Sequence, residues 1–286
     1  MIPAAFGYTR AGSVDEALRI LASDDGAKVI AGGQSLLPLM KLRLAGPATL
    51  VDIGRLGELR GVRTLADGRL AVGALTTYAD LMDSPAKHYG VLRDMLPAIG
   101  DVQVRNRGTV GGAVAHADPA SDLPAALLAL DAELVLRSAD GSRTVKADGF
   151  FEGAFATGLR HGELLTEIVL PAPLDNAGSA YASLEQPASG YAMVGVAAVV
   201  ILGQDRRIAW AGIGVTGVHE HAYRAPEVES ALVGSDGSAA AIAAAAAHAT
   251  DEVEVNADIH AGREYRTAMA VVYARRAIEG ALARVG

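Results

Sequence analysis

The chain has 286 residues, of which 51% are hydrophobic and 20% are charged, so it can bury a substantial core and general disorder is excluded. Its formal net charge of −8 argues against a surface that binds nucleic acid or an anionic membrane. The sequence contains no cysteine, which excludes disulfides, thiolate catalysis and a cysteine-ligated iron–sulfur cluster within this chain and favours a cytoplasmic location.

The first 56 residues predict a compact β-α-β unit. Ser13 and Glu16 have the spacing of a capping box, which indicates the start of a helix between two strands. Strands are expected at residues 6–10, 28–31 and 49–53. We therefore assign residues 1–56 to an N-terminal subdomain.

Residues 57–175 predict a second, mostly antiparallel α+β subdomain. Asp-Gly pairs at 67–68 and 140–141 lie between apolar runs, which is the pattern of β-hairpins. Strands are expected at residues 62–65, 70–73, 132–137, 143–146 and 164–170. Helices are expected to begin near residues 77, 91 and 123, the first of them capped by Thr77.

Residues 176–286 predict a small C-terminal domain, and a stretch containing proline and glycine at 171–178 indicates the linker that precedes it. Strands are expected at 192–202 and 208–215, and helices at 226–232, 239–249 and 265–282. The apolar run 192–202 is too short to cross a membrane, so we expect no membrane span. No basic region followed by an apolar region opens the chain, so we expect no N-terminal leader either. The predicted fold class is α+β, a two-part first domain followed by a three-stranded sheet backed by helices.

The first candidate binding segment is residues 28–38, KVIAGGQSLLP, in which an apolar strand ends at two glycines. Gly32 and Gly33 allow the backbone to turn and to approach a ligand closely. Gln34 and Ser35 add side-chain donors, and successive amides in such a turn can form an anion-binding nest. An ordinary glycine turn is the alternative, because the segment matches neither a P-loop nor the G-x-G-x-x-G fingerprint.

The second candidate segment is residues 108–122, GTVGGAVAHADPASD. It again pairs adjacent glycines, Gly111 and Gly112, with a hydroxyl donor, Thr109, and it closes on Asp122. Two glycine turns flanked by hydroxyls are suited to holding the two phosphates of a dinucleotide from two sides.

The two segments together resemble the FAD-binding medium subunit of the molybdenum hydroxylases. The motif in the first is A-G-G-Q-S-L-L-P, and the motif in the second, about 75 residues later, is T-V-G-G-x-x-x-x-x-D-P-x-x-D. That family includes carbon monoxide dehydrogenase, xanthine dehydrogenase and bacterial N-heterocycle and nicotine dehydrogenases. The resemblance extends over residues 6–276. It implies that the first domain is a two-part FAD-binding domain and that both segments embrace the FAD diphosphate.

The resemblance also implies the individual cofactor-binding residues. Around the diphosphate they are Ala31, Gly32, Gly33, Gln34, Ser35, Leu36, Thr109, Gly111, Gly112, Ala113 and Asp122. Ala113 stands where family members often carry Asn or Asp, so one polar contact is missing there. The implied cofactor-binding residues beside the flavin ring are Ile99, Leu165 and Tyr191. The alternative for each is a side chain that only packs in the core.

The segment 185–190, just before Tyr191, lacks the basic residues of many relatives. Since a cation near the ring stabilises an anionic reduced flavin, we hypothesise that this departure alters the flavin potential or the electron acceptor. The motif His219-Glu220-His221 is too short to predict a metal site, and we expect no metal and assign no catalytic residue.

The function implied by the resemblance is that of an FAD-carrying electron-transfer subunit. Its implied partners are a small subunit with [2Fe–2S] clusters and a large subunit with the molybdenum cofactor, assembled as a dimer of heterotrimers, and an external acceptor receives the electrons. The lack of cysteine agrees, since the clusters must then reside in another chain. A self-contained FAD-dependent oxidase or reductase and a flavin-free scaffold subunit are the alternatives.

Overall fold

The computed structural model describes residues 2–251 and 253–286. The N-terminal subdomain is a three-stranded parallel sheet with helices, and the strand order is first, third, second. Its elements are β1 (Gly7–Arg10), α1 (Val14–Ser23), β2 (Ala27–Ile30), α2 (Leu36–Lys41) and β3 (Thr49–Asp52). The expected β-α-β unit is present.

The α1 cap differs in one detail from the predicted capping box. Ser13 Oγ accepts from the Glu16 amide at 3.1 Å, as expected. The Glu16 carboxylate, however, accepts from the Gly12 amide at 2.7 Å rather than from Ser13. Both bonds satisfy amides at the helix start, so the sequence signal placed the helix correctly.

The second subdomain is built on a five-stranded antiparallel sheet in the order β4-β5-β10-β6-β7. Its strands are β4 (Val62–Thr64), β5 (Leu70–Gly73), β6 (Glu133–Ser138), β7 (Gly141–Lys146), β8 (Phe151–Gly153), β9 (Ala156–Thr157) and β10 (Leu164–Leu170). Its helices are α3 (Tyr78–Met82), α4 (Gly90–Met95), α5 (Val102–Arg105), α6 (Val110–His116) and α7 (Asp122–Ala129). Both Asp-Gly hairpins form as predicted, and Thr77 and Asp80 make a complete capping box on α3.

The C-terminal domain contains a four-stranded antiparallel sheet rather than the expected three-stranded one. Its strands are β11 (Ala177–Glu185), β12 (Ala192–Leu202), β13 (Ile208–Thr216) and β14 (Tyr223–Arg224). The helices that cover it are α8 (Pro226–Leu232), α9 (Ala239–Ala246) and α10 (Arg263–Leu282). The predicted α+β class is confirmed, and no helix in the described residues is long and apolar enough to cross a membrane.

The strand β11 begins inside the stretch that the sequence indicates as a linker. Gly178 lies so close to the Ala281 carbonyl of α10 that a Cβ would overlap it, and the Asn176 amide nitrogen donates to Leu202 O at 2.6 Å. Gly178 therefore allows a helix to pack on the sheet, and Asn176 bonds to the end of β12. Both are tertiary contacts that local turn signals do not indicate.

The helix α7 joins the second subdomain to the C-terminal domain. All eight of its residues are buried, and it packs on β13 where Gly212 and Gly214 face the carbonyls of Ala129 and Ala125. A side chain at either glycine would overlap the facing carbonyl oxygen. This close packing fixes Asp122, the first residue of α7, at the junction of the two units.

Candidate functional site

The segment that follows β2, residues 31–36, lies at the carboxyl end of a parallel strand and leads into α2. We call it the first glycine segment. Gly33 has a φ of +74°, a left-handed conformation that favours glycine. Loops at the carboxyl ends of parallel strands are the usual place for ligands in α/β modules, so this location suits a binding segment.

The first glycine segment contains five consecutive amides that find no acceptor in the described residues. Within the described chain, the N–H groups of residues 32–36 have no acceptor, and the first amide that bonds is that of Leu37, which donates to Gly33 O at 3.1 Å. Ser35 is the N-cap of α2, yet its hydroxyl makes no cap bond. Because free amides at a turn and a helix start concentrate partial positive charge, this segment can accept an anion.

The second glycine segment, residues 108–113, is not the open turn that its sequence predicts. Thr109 is the N-cap of α6, and Gly111 and Gly112 form the first turn of that helix. The Gly111 amide donates to Ala74 O at 2.9 Å and the Gly112 amide to Thr109 Oγ1 at 3.2 Å. These glycine amides are satisfied within the protein and Thr109 is buried, so the exposed backbone at Gly112 is the main surface of this segment that a ligand can reach.

The structure brings the two glycine segments into direct contact. A Cβ at Gly32 would overlap the Arg107 carbonyl oxygen and would lie 3.1 Å from Gly108 Cα. Only glycine therefore fits at position 32, and its backbone packs against the residues that lead into α6. The contact joins the N-terminal subdomain to the second subdomain at the place where both motifs meet.

Tyr78, which the sequence analysis did not single out, links this contact to the other predicted residues. Its ring lies against Gly108, where a Cβ would be 2.9 Å from Tyr78 Cε2. Burial strongly raises the pKa of the Tyr78 phenol, and the nearby Asp122 carboxylate and Tyr191 phenol raise it further. Asp122 begins α7, and α7 packs against α6, so the carboxylate lies on the same side of the second subdomain as the second glycine segment. The only sequence signal for Tyr78 is its position directly after the Thr77 cap.

Asp122 is buried, with 8% of its surface exposed, and it accepts a short hydrogen bond from the Tyr181 phenol. Burial raises the pKa of the Asp122 carboxyl to about 6, while the bond from Tyr181 opposes the shift. Gly195 leaves room for the phenol, since a Cβ there would overlap the Tyr181 oxygen. The pair joins α7 to β11, and nothing in the sequence pattern of Tyr181 indicated it.

Tyr191 is 47% exposed and lies at the wall of a cleft of about 350 Å³ between the second subdomain and the C-terminal domain. The turn before it is held by the Gln186 side-chain oxygen, which accepts from the amides of Ala188 and Ser189 at 2.7 Å each. Burial raises the pKa of the Tyr191 phenol, and Asp118 and Asp122 add to the effect. An exposed, rigidly presented aromatic ring can stack on a ligand.

The two apolar residues expected beside the flavin ring differ in exposure. Ile99 is half-buried at the edge of the core, and its carbonyl accepts from Arg105 Nη1 at 3.0 Å. Leu165 is 3% exposed and packs within the main core, so its side chain has little surface left for a ligand. Leu165 therefore fits the role of a core residue, whereas Ile99 keeps exposed surface that a ligand could contact.

Two family models together cover most of the chain. The model described as "FAD binding domain in molybdopterin dehydrogenase" matches residues 4–173. The chain belongs to the FAD-binding subunits of the molybdenum hydroxylases. A second model, described as "CO dehydrogenase flavoprotein C-terminal domain", matches residues 179–281.

Individual relatives match most or all of this family member's length. It is similar to the carbon monoxide dehydrogenase medium chain of Hydrogenophaga pseudoflava, with 40% identity over 99% of both chains. The glyceraldehyde dehydrogenase medium chain of Sulfolobus acidocaldarius is 43% identical over 82% of this chain and 83% of that one. The caffeine dehydrogenase subunit beta of a Pseudomonas species is 35% identical over 100% and 97% of the two chains.

Solved structures agree with the sequence matches. A chain of carbon monoxide dehydrogenase from Hydrogenophaga pseudoflava superimposes with a TM-score of 0.96 at 40% identity, covering 100% of both chains. A chain of quinoline 2-oxidoreductase from Pseudomonas putida 86 superimposes with a TM-score of 0.91 at 35% identity, also covering 100% of both. The expected family, its FAD cofactor and its role as the flavoprotein subunit of a multi-subunit oxidoreductase are confirmed.

Proposed function

We propose that this chain holds FAD as the electron carrier between the [2Fe–2S] clusters of a small partner subunit and an external acceptor, with the molybdenum cofactor in a large partner subunit. The observation that carries the proposal is the run of five free amides at residues 32–36, directly against the residues that lead into α6. A diphosphate would supply negative charge and acceptor oxygens to this row of donors. Bound FAD supplies the redox chemistry, and the protein holds and tunes it.

The residues around the diphosphate divide into donors and spacers. In this proposal the amides of residues 32–36 and the hydroxyl of Ser35 donate to the phosphates. Gly111 permits α6 to pack closely on Ala74, and neither Gly111 nor Gly112 is a donor to the phosphates, because their amides already have acceptors. Ala31, Gln34, Leu36 and Ala113 complete the proposed lining.

We propose that the isoalloxazine ring lies on the side of Asp122 and Tyr191. Tyr191 presents an exposed ring, and Ile99 offers a half-buried apolar edge. Leu165 supports this side from within the core rather than by contact. Asp122, with its raised pKa and its bond from Tyr181, holds the start of α7 and keeps a carboxyl group near the ring.

We further propose a dimer of heterotrimers in the cytoplasm. The lack of cysteine supports the location of the clusters in another chain, and relatives carry the names "medium chain" and "medium subunit". We divide the chain at residues 1–56, 57–175 and 176–286, supported by the three main sheets and by the gap between the two family matches.

The visible absorption spectrum of the chain expressed alone, with mass analysis of any released cofactor, tests the cofactor proposal. We expect a flavin spectrum and released FAD in a ratio near one per chain. A folded, colourless chain that takes up no added FAD contradicts the binding site as described. Co-expression with the small and large subunits tests the assembly, and a flavoprotein that oxidises substrate without them contradicts it.

A further inference from the structure

The connection between β13 and β14 carries a cluster of possible metal ligands outside the proposed flavin site. His219, Glu220 and His221 each place a ligand atom within 4.8 Å of the others. The sequence spacing alone did not predict a metal site, because two histidines separated by one residue are common in solvated loops. The hydrogen bonds of the two imidazoles change that interpretation.

Both histidines are held in the same tautomer. His219 Nδ1 lies 2.7 Å from the Glu254 carbonyl oxygen, and His221 Nδ1 lies 2.9 Å from the Ala222 carbonyl oxygen. Since a carbonyl oxygen can only accept, each Nδ1 carries a proton, and in the neutral imidazole Nε2 is then the nitrogen whose lone pair can bind a metal. A backbone acceptor on one ring nitrogen is the arrangement that orients metal-binding histidines and raises their basicity.

The Nε2 atoms of the two histidines and the Glu220 carboxylate are the ligand atoms that these hydrogen bonds leave available. Among the described residues, none donates to either Nε2 atom or pairs with the Glu220 carboxylate. Glu220 is exposed and lies beside β8, with its Oε1 3.8 Å from where a Gly153 Cβ would be. The two imidazole rings are 4.8 Å apart at their centroids, and the His219 ring packs edge-on against Tyr223, which holds it in place.

We propose that His219, Glu220 and His221 form a binding site for a divalent ion of the zinc class. Two imidazole nitrogens and one carboxylate oxygen are ligands that Zn²⁺ favours, with a water in the fourth position. In a tetrahedral site the ligand atoms are about 3.4 Å apart, so side chains that place them within 4.8 Å of one another need only small rotations to surround the ion. All three ligands lie in the β13–β14 connection, which the His219 bond to the Glu254 carbonyl oxygen joins to the segment before α10.

Calorimetric titration of chelator-treated protein with zinc chloride tests the site. We expect one equivalent of Zn²⁺ to bind, and we expect His219→Ala, His221→Ala and Glu220→Gln each to weaken binding by about tenfold or more. His248→Ala is the matched control, because His248 is an exposed histidine that pairs with Asp251 alone at 2.7 Å. Absence of binding, or an equal loss in His248→Ala, overturns the proposal.

A spectroscopic readout on the wild-type protein covers the case in which an alanine variant folds poorly. In ¹⁵N-histidine spectra we expect Zn²⁺ to shift the Nε2 resonances of His219 and His221 while both Nδ1 atoms stay protonated. A shift confined to other histidines, or loss of the Nδ1 protons, contradicts the site. FAD content is expected to be the same with and without Zn²⁺, which separates this proposal from the flavin site.

Discussion

The two glycine pairs of this chain are similar in sequence but differ in the hydrogen bonding of their amides. At the first, Gly32 and Gly33 leave a row of amides without acceptors. At the second, Gly111 and Gly112 stand in a helix whose first amides already bond to Ala74 and Thr109. The comparison shows that a glycine pair can mark either free donors or close packing, and that only the hydrogen bonds distinguish the two.

The substitution Gly32→Ala is expected to have the largest effect, because it separates the two segments. The added Cβ would overlap the Arg107 carbonyl, and relieving the overlap displaces the amides that we propose bind the diphosphate. We expect FAD affinity to fall roughly 100-fold, equivalent to about 3 kcal/mol, measured by fluorescence titration of the apoprotein. Gly46→Ala is the control, since a Cβ there meets nothing within 4 Å. Unchanged affinity in Gly32→Ala would refute the described contact.

The substitution Gly111→Ala is expected to act on stability. Its Cβ would lie 2.5 Å from Ala74 Cβ and 2.8 Å from Ala74 Cα, in a fully packed region. We expect the free energy of unfolding to fall by about 2 kcal/mol in urea denaturation. Gly57→Ala, where the added methyl meets no atom within 4 Å, should show no such loss. A Gly111→Ala protein as stable as the wild type would show that α6 packs less closely than described.

The pH dependence of stability is expected to report on Asp122. Because its folded pKa is about 6, against an ordinary value of 3.8, the folded protein binds more protons than the unfolded chain between these values. Stability therefore falls as pH rises through that window, and we expect Asp122 to account for about 1 kcal/mol between pH 5 and pH 7. Asp122→Asn should remove this part of the slope in the FAD-free protein, whereas the exposed Asp83→Asn should leave it unchanged. A slope that survives in Asp122→Asn would argue against the raised pKa.

The smallest effect is expected from Ser35→Ala. The Ser35 hydroxyl makes no bond as an N-cap, so its loss should leave the fold intact and remove one proposed donor to the phosphates. We expect FAD affinity to fall about threefold, in line with one solvent-accessible hydrogen bond. Ser23→Ala, in the same subdomain but at the end of α1, should bind FAD as the wild type does. Equal affinities in both variants would place the diphosphate away from Ser35.

Much of the fold follows from local signals. The Thr77 cap, both Asp-Gly hairpins and the start of the helix after Ser13 lie where the sequence predicts them. The strand β11 was not predicted, because its residues 177–178 resemble a turn, yet they pair with β12 and pack against α10, both distant in sequence. Sequence patterns therefore predicted the elements that neighbouring residues stabilise. They missed the strand whose packing partner is a helix distant in sequence.

The site could be predicted only in part for the same reason. Free donors after β2 follow from the strand–glycine pattern, and the resemblance supplied the second segment. The contact of Gly32 with Arg107 and the bond from Tyr181 to Asp122 join residues that are distant in sequence. Neither tyrosine that supports the site, Tyr78 or Tyr181, has a sequence pattern that distinguishes it from a core aromatic residue.

Hydrogen–deuterium exchange of the chain with and without FAD tests the central comparison most directly. Without FAD, we expect the amides of residues 32–36 to exchange rapidly and those of residues 110–113 to be protected by their internal bonds. On FAD binding, we expect strong new protection of the amides of residues 32–36 and little change at residues 110–113. Protection that appears at residues 110–113 but not at 32–36 would contradict the assignment of the diphosphate to the first glycine segment.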